Sequence, residues 1–130
     1  MPDFEESREV GAAPDAVWRL VSDPNRLAEW VPTTTASRPV GEDSVRLQGE
    51  SHGHDYDTRG GFVADDAAKR LSWDSPRHSG YRGSLVVAGH GGGSRVTVWV
   101  TIPDAPAQAE EEIMRGLRDT LDRIARLAQA

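Results

Sequence analysis

The stretch SHGHDYD, residues 51–57, sets His52, His54, Asp55 and Asp57 close together, and a later turn, SPRHSG, adds His78. Imidazoles and carboxylates at this density suit three chemistries. His52 and His54, turned the same way and joined by Asp55 or His78, make a three-ligand metal site with an open position. A histidine titrating near neutral pH serves as acid or base beside Tyr56 or Arg59. The same residues also suit the polar lip of an apolar site. Two histidines at i,i+2 with no cysteine and no HExxH helix are a weak metal signal. No GxSxG motif or convergent carboxylate pair marks a hydrolytic centre.

The bulk properties narrow the field. The chain has 130 residues, enough for one core and too few for two, so a single domain over 1–130 is expected. It has no cysteine, which excludes disulfides, thiolate zinc sites and cysteine nucleophiles. A reducing cytoplasm is the simplest home. MPDFEESREV has no apolar signal core, and no run approaches the roughly 20 apolar residues that span a bilayer, so no membrane insertion is expected. The formal charge of -6, with basic residues scattered rather than gathered in a stripe, argues against nucleic acid as a partner.

The elements that must position these groups follow from periodicity. Residues 3–10 read as a strand, and GAAPDAVWRLVSDP as a helix with Pro14 in its first turn. Val17, Leu20 and Val21 form its apolar face. SDPNRLAEW restarts a helix with Asp23 as cap and Pro24 at its first position. Six strands of an antiparallel meander follow, over about 33–40, 44–50, 56–64, 70–74, 81–89 and 94–102. Alternation is clearest in SRVTVWVTI, where Val96, Val98, Val100 and Ile102 face inward and Trp99 outward. Val45, Leu47, Leu71, Trp73, Tyr81, Leu85 and Val87 point inward by the same logic. The Gly60-Gly61 pair suggests a bulge or bend. Residues 107–129 form the longest helix, with Ile113, Met114, Leu117, Leu121, Ile124 and Ala128 on an apolar face that must lie on the sheet. Glu111-Arg115, Asp119-Arg123 and Asp122-Arg126 are i,i+4 pairs in the favourable order. Gly116, inside this helix, marks a close approach or space left open.

Three blocks, APDAVWRLVSDPNRLAEWVP at 13–32, KRLSWDS at 69–75 and GGGSRVTVWVTI at 91–102, followed by the terminal helix, resemble the START-like polyketide cyclase/dehydrase and lipid-transport superfamily, SRPBCC, related to the birch-pollen allergen. The resemblance covers nearly the whole chain. It implies an α+β helix-grip fold: a curved antiparallel sheet of about seven strands wrapped on a long C-terminal helix, with two short helices after the first strand. It also implies an apolar cavity between sheet and helix for a small hydrophobic molecule. Gly116 is followed by Leu117, where the chaperone-activator-like branch carries a Gly-Trp pair, so the chain departs from that branch.

The expected ligand-binding residues are Trp30, Leu47, Tyr56, Phe62, Trp73, Tyr81, Leu85, Val98, Met114 and Leu117. Aromatic side chains among them offer large contact area with a polar tip for orientation. His52, His54 and His78, on turns at the same end of a meander, are expected at the cavity mouth, with no metal and no cofactor. Asp57 and Arg59 take outer-face parity if Tyr56 points inward, and pair across strands. The leading expectation is a binding module for a small hydrophobic or amphipathic ligand, lipid or polyketide-like, acting as monomer or weak homodimer. One alternative is an aromatase/cyclase-like enzyme acting on a polyketide. The other is a protein-interaction module using the outer sheet face around Trp99, where Arg82 offers a stacking partner.

Overall fold

The computed structural model describes residues 3–51, 53–75, 80–103 and 105–130. Strand β1 (Asp3–Val10) leads into α1 (Pro14–Val21) and a single helical turn, α2 (Leu27–Trp30). The meander comprises β2 (Thr34–Pro39), β3 (Ser44–Ser51), β4 (His54–Asp65), β5 (Arg70–Asp74), β6 (Arg82–His90) and β7 (Gly93–Thr101). A 3₁₀ turn at Ala107–Ala109 opens onto α3 (Glu110–Ala128). All strands are antiparallel in one sheet of order β1-β7-β6-β5-β4-β3-β2, so β1 closes against the last strand and β2 is the far edge. This is the α+β helix-grip arrangement, with the sheet curved around α3.

The alternation in the sequence becomes the inner face. Val96, Val98 and Val100 are buried on β7, opposite Leu85 and Val87 on β6 and Leu71 on β5. Leu117, Leu121, Ile124 and Ala125 bury the apolar stripe of α3, with Ile113 and Met114 half-buried beside it. Val17, Trp18, Leu20 and Val21 close one end of the sheet, where Trp18 Nε1 donates to Asp66 Oδ1 at 2.8 Å and Lys69 pairs with Asp15 at 3.2 Å. Those contacts tie α1 to the β4–β5 turn.

Several local expectations are corrected. The second helix begins at Leu27 rather than at Pro24, because Asp23 caps a turn: its Oδ1 accepts the Asn25 N–H at 2.9 Å and its carbonyl accepts the Arg26 N–H. Such Asx geometry competes with helix initiation. The β4 register runs unbroken through Gly60 and Gly61, so of the bulge or bend expected there no bulge forms; among the described residues a register shift lies in β2, between Thr34 and Ala36. Asp122 pairs with Arg8 of β1 rather than with Arg126, while Glu111-Arg115 and Asp119-Arg123 form as expected.

α3 packs mainly on β1, α1 and α2. The inner face of β3, β4 and β5 is therefore left partly uncovered, and an open volume remains there.

Candidate functional site

That volume is a cavity of about 330 Å³ between the sheet and α3. Leu27 and Trp30 of α2 and Thr34 at the start of β2 form one side, with Val45 and Leu47 of β3 beside them. Tyr56, Thr58, Gly60 and Phe62 follow along β4 at the two-residue period of one strand face. Leu71, Trp73, Tyr81, Val98 and Val100 continue the wall, and Leu117 and Thr120 project from α3.

Of the residues expected from sequence, Trp30, Leu47, Tyr56, Phe62, Trp73, Tyr81, Val98 and Leu117 stand on this wall. Leu85 and Met114 do not. Leu85 is fully buried between Leu71 and Val98 in the strand register, and Met114 is half-buried against the core at the first turns of α3. His54 is exposed at the start of β4 opposite Ser51 and is not on the wall. His52 and His78 lie outside the described residues. Among the described residues no group of three or more His, Cys, Asp or Glu is arranged to hold a metal ion. His90, at the other end of the sheet, pairs with Glu9 at 2.9 Å.

Two of the aromatic positions depend on glycines directly across the strands. Trp73 pairs in register with Gly83, and Tyr56 with Gly49. A Cβ on Gly83 would sit 2.4 Å from the Trp73 indole, and one on Gly49 would sit 2.6 Å from the Tyr56 hydroxyl and 2.0 Å from the Thr33 carbonyl. Each ring therefore lies over the space a side chain would fill, which flattens it against the sheet and leaves the volume above it free.

The polar atoms of the site are few and mostly engaged. The Tyr56 hydroxyl bonds to the Thr33 and Thr34 hydroxyls at 3.2 and 3.0 Å, and Thr120 Oγ1 donates to the Gly116 carbonyl at 3.0 Å. Burial pushes the pKa of the Tyr81 hydroxyl above the ordinary value of 10.0, and the nearby Trp73 indole opposes that only in part. Trp30 is different. Its Nε1 is buried and has no hydrogen-bond partner among the described residues.

The charged residues near SHGHDYD turn away. Arg46 grips Asp57 through Nε at 2.8 Å and Nη2 at 2.6 Å, and that pairing pushes the Asp57 carboxyl down to about 2. Arg59 has its guanidinium on the Val40 carbonyl at 3.4 Å and borders both the cavity and a shallow outer pocket. On the outer sheet face, Trp99 and Val63 flank Ser72 and Ser84 in one row across the strands, and a broad groove of about 760 Å³ runs past Arg70 and Arg82.

Sequence reasoning missed Thr58 and Thr120 because both are polar. Continuing the alternation from Tyr56 would have found Thr58; Thr120 follows from the three-residue step beyond Leu117 on the helix.

Comparison with known proteins agrees with this geometry. The model of a family described as polyketide cyclase / dehydrase and lipid transport matches residues 1–129. No curated protein matches the sequence. Among solved structures, the di-domain ARO/CYC BexL of the BE-7585A biosynthetic pathway superposes with a TM-score of 0.79 at 21% identity over 97% of this chain; the chain spans only 46% of BexL. XoxI from Bacillus cereus gives 0.79 at 19% identity, covering 99% of this chain and 96% of its own. The Zhui aromatase/cyclase from Streptomyces sp. R1128 gives 0.75 at 16% identity, covering 98% and 93%. At these identities the structural likeness establishes the fold.

Proposed function

The chain belongs to the polyketide cyclase/dehydrase and lipid transport family, and from that membership we propose that it binds a small hydrophobic or amphipathic ligand, lipid or polyketide-like, between the sheet and α3. The observation that carries this reading is an open volume of about 330 Å³ walled by aliphatic and aromatic side chains, where a packed core would have left none. Its size is at the lower end of ligand pockets, which run from about 300 to 1,000 Å³. A single ring system or one short chain suits it better than a two-chain lipid. At about 25 cal/mol per Å², a ligand burying about 300 Å² of apolar surface gains on the order of 7 kcal/mol before ordering costs, so affinities of about 10 μM or weaker are expected.

Calorimetric titration with 1-naphthol tests the reading. One site per chain is expected, and Thr58→Phe, which places a ring inside the cavity from a strand position that favours aromatics, abolishes it with the fold intact. Val63→Ser on the outer groove leaves it unchanged. Undiminished binding by a folded Thr58→Phe protein refutes the location.

A second reading, an aromatase/cyclase-like reaction on a polyketide, is favoured by Tyr56 and Tyr81, which stand on the wall as proton-bearing groups. Both BexL and Zhui carry that activity in their names. Turnover of a poly-β-ketone thioester that is lost in Tyr56→Phe while binding survives supports this reading; turnover that is absent from the parent protein removes it.

A further inference from the structure

Along most of its width the outer face of the sheet sets arginines opposite carboxylates on the neighbouring strand: Arg70 opposite Asp65, Arg82 opposite Asp74 and Arg95 opposite Glu9. One row departs from this pattern. Arg38 of β2 stands opposite Arg46 of β3, and Arg46 stands opposite Arg59 of β4, so three guanidinium side chains share one line across three strands. Like charges placed directly opposite one another destabilise a sheet. A single carboxylate answers the three: Asp57 holds Arg46 through Nε at 2.8 Å and Nη2 at 2.6 Å, with Gln48 donating to the same carboxylate at 3.4 Å. Among the described residues Arg38 and Arg59 form no ion pair; Arg59 reaches only the Val40 carbonyl, at 3.4 Å. Both are exposed, and with Arg46 they border the shallow outer pocket of about 300 Å³.

Protection of a sheet edge accounts for Arg38 alone, because β2 is the edge strand while β3 and β4 are paired on both sides. We propose that this row is a second binding site, separate from the cavity, and that its ligand is a phosphomonoester dianion. The charge count favours that class, since two unpaired cations in a chain of formal charge -6 match two negative charges. Shape favours it as well. A carboxylate offers one edge to one planar fork, as Asp57 does to Arg46, whereas a tetrahedral phosphate presents three terminal oxygens that several forks can grip together. An extended polyanion such as nucleic acid fits poorly, because the same strands set Glu50 opposite Asp55 farther along.

The probe is methyl phosphate, a dianion at about pH 7.5 because its second pKa is about 6, with dimethyl phosphate as the matched monoanion. Titration of the full chain at low salt, followed by backbone ¹H-¹⁵N signals, is expected to give saturable shifts at residues 38, 46 and 59, with methyl phosphate binding at least about threefold more tightly than dimethyl phosphate. Arg38→Gln and Arg59→Gln are each expected to weaken methyl phosphate by about threefold or more, while Arg115→Gln, the same change of charge on α3, leaves it unaltered. Asp57→Asn frees Arg46 from its carboxylate and is expected to tighten binding by a similar factor. Flotation with vesicles of phosphatidic acid in phosphatidylcholine separates the sources of such a group: co-flotation that is lost in Arg38→Gln assigns it to a lipid headgroup, and methyl phosphate binding without co-flotation assigns it to a soluble ester. An absence of saturable shifts at these residues, or an equal loss in Arg115→Gln, overturns the inference and leaves the cavity reading standing.

Discussion

Tyr81 has the most perturbed hydroxyl of the site, and its chemistry gives a direct check. Burial disfavours the tyrosinate, so the folded chain holds this proton to higher pH than the unfolded chain does. Its contribution to stability is fully present below about pH 10 and is lost as pH rises through the folded-state value. There are two tyrosines, so Tyr56→Phe leaves Tyr81 alone; its ultraviolet titration should fall above 10 and return to the ordinary value when the protein is unfolded in urea. A neighbouring residue tests the wall's construction. Gly83→Ala puts a methyl group where the Trp73 indole lies, 2.4 Å from its ring atoms. Overpacking of this kind costs about 1–3 kcal/mol, visible as a lowered melting temperature and a changed near-ultraviolet tryptophan spectrum. The aromatic lining was legible in the sequence because large rings at inward parity have few other places to go. The glycines that seat those rings were not, because a glycine's partner is set by register across strands, which no local pattern reveals.

At the scale of elements, alternation and turn residues placed all seven strands in order, since a half-buried strand writes its faces into every second residue. Helix starts were less legible. Asp23-Pro24 carries the signature of a helix cap, but the Asp side chain closes an Asx turn first, and the helix waits until Leu27. The role of Gly116 also needed the structure. A close approach and an open space write the same glycine into the sequence, and here a Cβ at this exposed position meets nothing within 4 Å. Gly116→Ala is therefore expected to stabilise the chain by about 1 kcal/mol, the helix-propensity difference, with no loss of ligand binding. Thermal unfolding of parent and variant measures it. A destabilised variant would mean that α3 needs the glycine for movement or fit.

For the whole molecule, the cavity is a consequence of where α3 sits. It leans on β1, α1 and α2, and the inner face of β3 to β5 remains open beneath it. Amphipathicity told that α3 lies on the sheet, but not over which strands; that depends on the summed packing of helices far apart in sequence. The broad groove beside Trp99 on the outer face is the competing location for an apolar molecule, with Val63 exposed at 46% along it. Intermolecular nuclear Overhauser effects from bound 1-naphthol separate the two directly. Cross-peaks from naphthol ring protons to the methyl groups of Leu47, Val98 and Leu117 are the expected result, because all three lie on the cavity wall. Cross-peaks to Val63 with none to those three would contradict the account and move ligand binding to the outside of the sheet.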